Sequence, residues 1–331
     1  MRLSIAIVFL SLLLFSCGNK ENNYTVIKGN TMGTTYEICY DSSIDLQSKI
    51  DYTLGFYSYL FSTYDSNSLL SKFNSSKPLS DEDQKSFENS IQLFNEINEL
   101  SYHVFANSKG AFNPAMGELI NYWGFGNNKK NPEKVDSAYI QQLISIPCPS
   151  FQVYFNHGAA VKNCLNQRLN FNAIAPGHAV DIIAAMFDTV YHLKNYYINI
   201  SGEIRVKGHA KGDTCWPIKI EKPQFKNEAA QAFKSYELKN QSLATSGNYR
   251  QYFTVNGKRY GHSIDPRTGF PAQNEMLSAT IICESTAKAD AYATACMVLG
   301  LKEAQELVNR MNLKAFFIYD EQGKMKTWEK L

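Results

Sequence analysis

The alternation of apolar and polar positions predicts that the chain opens with a β-hairpin. Residues 24–40, YTVIKGNTMGTTYEICY, alternate around a glycine-containing turn, as expected for two antiparallel strands with one buried face. Two helices are predicted next, over residues 44–62 and 80–107. The second begins with SDED, in which the serine suits the N-cap and the acidic side chains suit the positive end of a helix.

The rest of the pattern predicts short strands with a few helices between them. Residues 110–128 predict a glycine-rich loop with one helical turn, and a weak helix is predicted near residues 136–145. Residues 179–193 carry apolar side chains at helical spacing. The further predicted strands are FQVYF, NYYINISGEIRVKGH, CWPIKIEKP, SLATSG, YRQYFTV, KRYGHSI and MLSATIIC, followed by helices at residues 285–299 and 302–311 and by the strands KAFFIYD and KMKTWEK. Because strands adjoin strands more often than helices, we predict an α+β fold of mixed, largely antiparallel sheets packed with helices.

The first 17 residues have the pattern of an export signal rather than of a folded element. Arg2 precedes an apolar run from Ile5 to Phe15 that only Ser11 interrupts. The run is shorter than the roughly 20 residues of a spanning helix and is typical of a secretory signal. Its ending, LFSC, resembles a lipobox, which implies cleavage before Cys17 and lipid on that residue.

This interpretation predicts a lipoprotein in the bacterial cell envelope, anchored to the membrane at its periplasmic or extracytoplasmic face. Residues 18–23 would be a tether, and residues 24–331 would form one domain, since no linker divides them. The alternatives are a cleaved signal without lipid and a buried anchor helix.

Charge and cysteine spacing exclude several functions. The 33 Lys and Arg residues against 31 Asp and Glu residues give a net charge of +2, so nothing points to nucleic acid as a partner. No cysteine stands in a CxxC pair, which argues against a zinc site. Their scatter favours buried thiols over disulfides. Rossmann, P-loop, HExxH and GxSxG signatures are absent.

The helix predicted over residues 285–299 contains an unexpected carboxylate. It is built almost wholly of Ala, Met, Val and Leu after Lys288, with Asp290 and Thr294 one turn apart on the same face. A buried carboxylate is costly unless it is paired or bound to a cation. Asp290 could therefore cap the helix, pair with Lys288 or an arginine, or join Thr294 as a ligand of Mg²⁺.

Two other segments bring polar groups to turns. GHSIDPRTGFPA (261–272) has the residues of a tight turn, which does not explain why His262 and Arg267 flank it. In NFNAIAPGHAVD (170–181) the chain passes through a glycine turn into a helix, so the carbonyl of Ala173 could face a site. Glu203 and Arg205 share one face of a predicted strand, with a surface ion pair as the alternative reading.

Eight segments, taken in order, resemble the ApbE family of FAD:protein FMN transferases. They are MGTTY (32–36), STYDSNSLLSKFN (62–74), GAFNPAMGELINYWGFG (110–126), NAIAPGHAVD (172–181), SGEIRVKG (201–208), ATSGNYRQY (244–252), HSIDPRTGFP (262–271) and ADAYATA (289–295). Together they are spread over nearly the whole of residues 24–331.

The resemblance implies transfer of FMN from FAD to a Thr or Ser of an exported target protein, such as a subunit of a membrane electron-transfer complex, with release of AMP. It also implies a divalent cation, Mg²⁺ with Mn²⁺ or Ca²⁺ as alternatives, held by the side chains of Asp290 and Thr294 and the carbonyl of Ala173. The residues implied at FAD are Met32, Tyr64, Ala111, Phe112, Asn113, Asn170, Pro176, His262 and Ile264.

Three positions depart from the family pattern. Asn113 stands where a carboxylate is common, Asn170 where an acidic residue is frequent, and Pro176 where many members have a lysine. Proline offers phosphate neither a charge nor an N–H group. Two alternatives to the transferase therefore stay open, a Mg²⁺-dependent FAD pyrophosphatase and an FAD-binding lipoprotein without turnover.

The turn at residues 261–272 supplies the candidate proton acceptor. His262 is the candidate base, since imidazole titrates near neutral pH. Asp265 would orient His262 or hold the loop, and Arg267 would neutralise phosphate or pair with Asp265.

Overall fold

The structure, a computed structural model, describes residues 24–75, 79–127, 131–145, 153–156, 159–162, 168–223, 231–248, 252–255 and 258–331. The predicted export signal, the tether and the lipidation at Cys17 lie outside these ranges. Within them, no helix combines the length and the apolar character needed to cross a membrane.

Most of the helices and strands occur where the hydrophobic pattern predicts them. The helices are α1 Gln47–Phe61, α2 Leu69–Asn74, α3 Asp81–Asn107, α4 Gly117–Tyr122, α5 Ser137–Ile144, α6 Ala175–Thr189, α7 Thr286–Leu299 and α8 Leu301–Arg310. The strands are β1 Thr25–Thr31, β2 Thr34–Tyr40, β3 Val153–Asn156, β4 Ala159–Lys162, β5 Tyr196–Ile200, β6 Glu203–Lys207, β7 Trp216–Glu221, β8 Ala232–Leu238, β9 Gln241–Gly247, β10 Tyr252–Val255, β11 Lys258–Gly261, β12 Met276–Cys283, β13 Lys314–Glu321 and β14 Lys324–Lys330.

Eight of these strands form one sheet, in the order β1-β2-β5-β6-β9-β12-β13-β14. Each neighbouring pair is antiparallel. The hairpins β3–β4, β7–β8 and β10–β11 form small antiparallel sheets of their own. The predicted α+β fold with largely antiparallel sheets is therefore confirmed.

The centre of the large sheet is buried on both faces. On β12 and β13, Ile281 and Phe317 point into the core that the helices cover. Their neighbours Ile282, Phe316 and Ile318 point to the opposite face, as the two-residue period of a strand requires. There they pack in one cluster with Trp216, Ile218 and Ile220 of β7.

Helix α7 lies at the centre of the helical layer and carries both Asp290 and Thr294. All five of its alanines are buried, and these small side chains let it lie close to β9, β12 and α6. The approach to α6 is closest at Gly177, where a Cβ atom would lie 2.5 Å from the carbonyl oxygen of Thr286. Only glycine fits at this crossing.

Several element bounds differ from the sequence prediction. Helix α6 begins at Ala175, four residues before the predicted 179, because Pro176 fits the first turn of a helix, where no N–H is needed. Helix α1 begins at Gln47 rather than 44. The pattern missed β8 and the six-residue α2, whose short apolar runs carry little periodicity. The Ser80 cap of α3 is confirmed, since its side chain accepts the N–H of Asp83.

Candidate functional site

A cavity of about 1410 Å³ brings together most of the predicted site residues. It lies where the β1–β2 hairpin, the start of α6, β6, β9 and α7 meet the loop that contains His262. Of the predicted set, the cavity is lined by Tyr64, Ala111, Phe112, Asn113, Asn170, Ala173, Pro176, His262, Ile264, Asp290 and Thr294.

Asp290 is a buried carboxylate that accepts one hydrogen bond from the described residues. The backbone N–H of Gly177 donates to its Oδ2 at 3.3 Å, and among the described residues no cationic side chain forms an ion pair with it. Burial raises the pKa of Asp290 to about 7, against the small opposing effect of the Gly177 N–H. The N-cap of α7 is Ser285, so Asp290 neither caps the helix nor pairs with Lys288.

Thr294 and Ala173 present oxygens to the same cavity. The hydroxyl of Thr294 lies 3.1 Å from that of Ser246 on β9, which fixes its rotamer. Ala173 lies just before α6, and in the described part of the chain no backbone amide donates to its carbonyl oxygen. The Gly177 N–H, which could reach back to that carbonyl, is directed to Asp290 instead.

Glu203, at the start of β6, is a second carboxylate in the cavity wall. Its Oε2 atom is sealed from solvent and has no hydrogen-bond partner. Burial raises the pKa of Glu203 well above its ordinary value, and the charge of nearby Asp290 raises it further. Its predicted partner Arg205 bonds instead to Asp181 at 3.2 Å and to the carbonyl of Glu284 at 2.7 Å.

This donor set fits a hard divalent cation. Two carboxyl groups, a hydroxyl and a carbonyl are oxygen ligands of the kind that Mg²⁺ prefers, and no described basic side chain pairs with the carboxyl groups of Asp290 and Glu203. The described residues contain no group of three or more His, Cys, Asp or Glu side chains placed for a metal. A cation here would therefore depend on the Thr294 hydroxyl, the Ala173 carbonyl and water.

The loop after β11 divides into a part that lines the cavity and a part that does not. His262 and Ile264 line it, with the imidazole of His262 against the ring of Phe125 at 6.2 Å between centroids. Asp265 and Arg267 lie outside the lining. Arg267 donates from Nε and Nη2 to the two carboxylate oxygens of Asp265 at 2.9 and 2.8 Å, which is the pairing predicted as one of the two alternatives for Arg267.

The loop is anchored to the segment that would carry the flavin. The indole N–H of Trp123 donates to the carbonyl of Gly269 at 2.8 Å, and Trp123 and Ile264 belong to one apolar cluster with Leu119 and Ile140. The α4 region and the His262 loop are thereby held together at one end of the cavity.

The residues predicted to contact FAD differ in their exposure to solvent. Phe112 is buried, whereas Tyr64 is 58% exposed at the cavity edge. Met32 is the exception, because it does not line the cavity. It occupies the β1–β2 turn with φ of 48°, and its side chain packs against the helical core.

The departures at Asn113 and Asn170 serve the local backbone. The side-chain oxygen of Asn113 accepts the N–H of Ala115 at 2.7 Å, and that of Asn170 accepts the N–H of Asn172 at 2.9 Å. A carboxylate could accept the same bonds, so both turns survive the exchange of acid for amide.

Asp181 is a residue of this region that the sequence reasoning missed. From the middle of α6 it accepts the backbone N–H groups of Thr286 and Ala287, both at 3.0 Å, and the hydroxyl of Ser285 at 2.7 Å. It therefore fixes the first turn of the helix that carries Asp290. The negative carboxylate of Asp181 is favoured at the positive N-terminal end of α7. Nothing in the sequence around Asp181 shows which helix it would contact.

The chain is similar to known flavin transferases in sequence and in structure. The model of the ApbE family matches residues 32–317. The FAD:protein FMN transferase of Haemophilus influenzae is 32% identical over 324 residues, which cover 95% of this chain and 91% of that protein. The flavin transferase ApbE from Vibrio cholerae has a TM-score of 0.77 at 29% identity and covers 93% of this chain and 97% of its own.

A second solved structure agrees with the first. The apo form of the Pseudomonas stutzeri flavinyl transferase ApbE has a TM-score of 0.78 at 29% identity, covering 93% of this chain and 95% of its own. Fold and sequence together place the chain in the class of transferases. It belongs to the ApbE family, as the eight sequence segments predict.

Proposed function

We propose that this protein transfers FMN from FAD to a threonine or serine hydroxyl of an exported target protein and releases AMP. The observation that carries the proposal is the cavity in which the oxygens of Asp290 and Thr294 lie with the imidazole of His262. The names and coverage of the curated relatives support the same reaction. In this reaction the target hydroxyl oxygen bonds to the FMN phosphorus, and the bond from that phosphorus to the oxygen of AMP breaks.

Asp290, Thr294 and the carbonyl of Ala173 would hold the divalent cation, for which we propose Mg²⁺. When bound, it would neutralise the pyrophosphate of FAD and stabilise AMP as the leaving group. His262 would accept the proton of the target hydroxyl, and the Asp265–Arg267 pair would keep the loop of His262 in place. The base is needed because the hydroxyl is a weak nucleophile. The cation is needed because the pyrophosphate is anionic.

The apolar end of the cavity would take the isoalloxazine ring. Phe112 and Ile264 are buried apolar residues of the cavity lining, while Tyr64, 58% exposed, would cover the ring from the cavity edge. The amides of Asn113 and Asn170 would border the same region. At Pro176, where many relatives have lysine, the phosphates would depend on the cation for their charge balance.

We propose further that the protein acts at the extracytoplasmic face of the membrane. The support is the export-signal pattern of residues 1–17 and the lipobox-like LFSC that ends at Cys17. The target would then be an exported protein, and a subunit of a membrane electron-transfer complex fits both the location and the need for a bound flavin.

The test combines the purified full chain with FAD, Mg²⁺ and a peptide that carries a threonine or serine acceptor. AMP release and the intact mass of the peptide are followed together, with an alanine substituted at the acceptor of a control peptide. AMP release with the mass of one FMN added to the acceptor peptide alone supports the transferase.

Other outcomes contradict this proposal in distinct ways. AMP release with no peptide labelled, on this and on a second target protein, indicates a pyrophosphatase that uses water as the nucleophile. Bound flavin without AMP indicates an FAD-binding protein without turnover.

A further inference from the structure

The carboxyl group of Glu203 accepts a hydrogen bond from its own backbone N–H, but its Oε2 atom contributes nothing to the local structure. Glu203 follows the turn at Ser201 and Gly202, where φ is 62° and 107°, and it opens strand β6 facing the cavity. The residue as a whole retains some exposed surface, but its Oε2 atom has none and no hydrogen-bond partner. A few other described side chains hold buried polar atoms without a partner, yet Glu203 is the one among them that lines the cavity.

The basic side chains of the same strand are committed elsewhere. Arg205, two residues on and on the same face, bonds to Asp181 and to the carbonyl of Glu284. Lys207 pairs with Asp188 at 2.7 Å. An unpaired carboxylate oxygen buried in a protein is costly, so the position of Glu203 calls for a cationic partner that the described side chains do not supply.

The nearest candidate site for such a partner is the one that contains Asp290. Glu203 and Asp290 line the same cavity from β6 and from α7, near enough for the charge of one to act on the other. Thr294 stands one turn beyond Asp290. Two carboxylates balance the charge of a divalent cation, and the hydroxyl and carbonyl groups add neutral oxygen ligands.

We propose that Glu203 contributes its carboxylate to the cation site of Asp290, Thr294 and Ala173, as a ligand of the cation or of a water bound to it. This inference rests on the cation in the proposed function. It deepens that function by adding a second carboxylate from the central sheet, so the sheet and the helical layer would share one ion.

The experiment measures Mn²⁺ binding to the purified protein without FAD, by the loss of the free Mn²⁺ signal in electron paramagnetic resonance. The variants are Glu203→Gln and, as a matched control, Glu37→Gln. Glu37 lines the same cavity with the same charge, but it is 44% exposed and pairs with Lys28 at 2.5 Å. Glu203→Gln should weaken Mn²⁺ binding by about 10–100-fold, as losses of supporting groups at metal sites do, while Glu37→Gln should leave it unchanged.

Thermal unfolding separates this role from a purely structural one. Because the Glu203 Oε2 makes no hydrogen bond, Glu203→Gln should not lower the melting temperature of the metal-free protein, but it should remove most of the increase that Mg²⁺ gives the wild type. Glu203→Asp, which keeps the charge on a shorter side chain, should bind Mn²⁺ with intermediate affinity. If the Gln variant does not fold, the Mn²⁺ affinity of Glu203→Asp tests the proposal in its place.

Three results would overturn the proposal. They are equal Mn²⁺ affinity of Glu203→Gln and the wild type, an equal loss in Glu37→Gln, and no Mn²⁺ binding by the wild type. Failure of FMN transfer with the Glu203-dependent Mn²⁺ binding intact would instead refute the proposed function and leave this inference standing.

Discussion

At the scale of single residues, Asp290 and His262 line the same cavity in different surroundings. Asp290 is buried and its pKa is raised, so its charged form needs a cation beside it. His262 belongs to the loop that Trp123 and the Asp265–Arg267 pair hold in place. Asp290 is therefore suited to bind a cation, and His262 is suited to accept a proton.

Substitution of Asp290 should separate cation binding from folding. In Asp290→Asn the side-chain oxygen can still accept the Gly177 N–H, so the free energy of unfolding without metal should not fall. FMN transfer should decrease by about 100-fold or more, since a carboxylate ligand of the cation is lost. AMP release is assayed over a range of Mg²⁺ concentrations, and wild-type activity of the variant at low Mg²⁺ would exclude this metal assignment.

His262 and Arg267 should differ in what they control. His262→Gln should slow FMN transfer by about 10²–10⁴-fold, the usual contribution of a general base, with Mn²⁺ affinity unchanged. Arg267→Gln removes a partly exposed ion pair, so it should lower the free energy of unfolding by about 1 kcal/mol or less and slow transfer far less than the His262 change. Single-turnover rates and urea unfolding check both, and equal rate losses would show that the loop, rather than the imidazole, is what matters.

At the scale of secondary structure, the site depends on the crossing of α6 and α7. Gly177 donates its N–H to Asp290 at this crossing, and one turn later Asp181 caps the start of α7. Residues 177 and 181 thus lie on one face of α6 and hold the cation-bearing helix at two points.

A pair of glycine substitutions tests the closeness of this crossing. In Gly177→Ala the new Cβ would lie 2.5 Å from the Thr286 carbonyl oxygen and 2.9 Å from the Cβ of Asp290, so the helices must separate. The variant should lose about 1–3 kcal/mol in the free energy of unfolding and bind Mn²⁺ more weakly. The control is Gly55→Ala in α1, where nothing lies within 4 Å and a gain of about 0.5–1 kcal/mol is expected. Equal effects of the two in urea unfolding would contradict the close crossing.

Local patterns predict more of this site than contacts between distant segments do. The i, i+4 spacing of Asp290 and Thr294 and the turn residues of the His262 loop are local, so both are visible in the sequence. Ser246 meets Thr294 across 48 positions and Gly177 meets Asp290 across 113, and only the folded sheet and helices bring them together. The sequence does not link Glu203 to this cavity for the same reason, because it suggests a pair with Arg205, two residues on, which bonds to Asp181 instead.

At the scale of the whole molecule, the cavity draws on the domain from end to end. Its lining runs from Lys28 in β1 to Thr294 in α7, so truncation at either side would open it. The residues that line it all lie in the described part of the chain, at or after Lys28. Catalysis and anchoring should therefore be separable.

Replacement of Cys17 tests that separation. With the wild type, lipid on Cys17 should place the protein in the membrane fraction, because acyl chains on one cysteine supply a stable anchor. Cys17→Ser should lose the lipid mass and leave the membrane fraction, while FMN transfer by the purified variant should equal that of the wild type, since the described lining of the cavity runs from Lys28 to Thr294. Fractionation, intact mass and the peptide assay measure the three properties. A variant that stays in the membrane would indicate an uncleaved anchor helix, and a wild type without lipid mass that leaves the membrane would indicate a cleaved signal alone. Loss of transfer in a properly folded variant would show that the anchor region takes part in the reaction, against the confinement of the site to the domain.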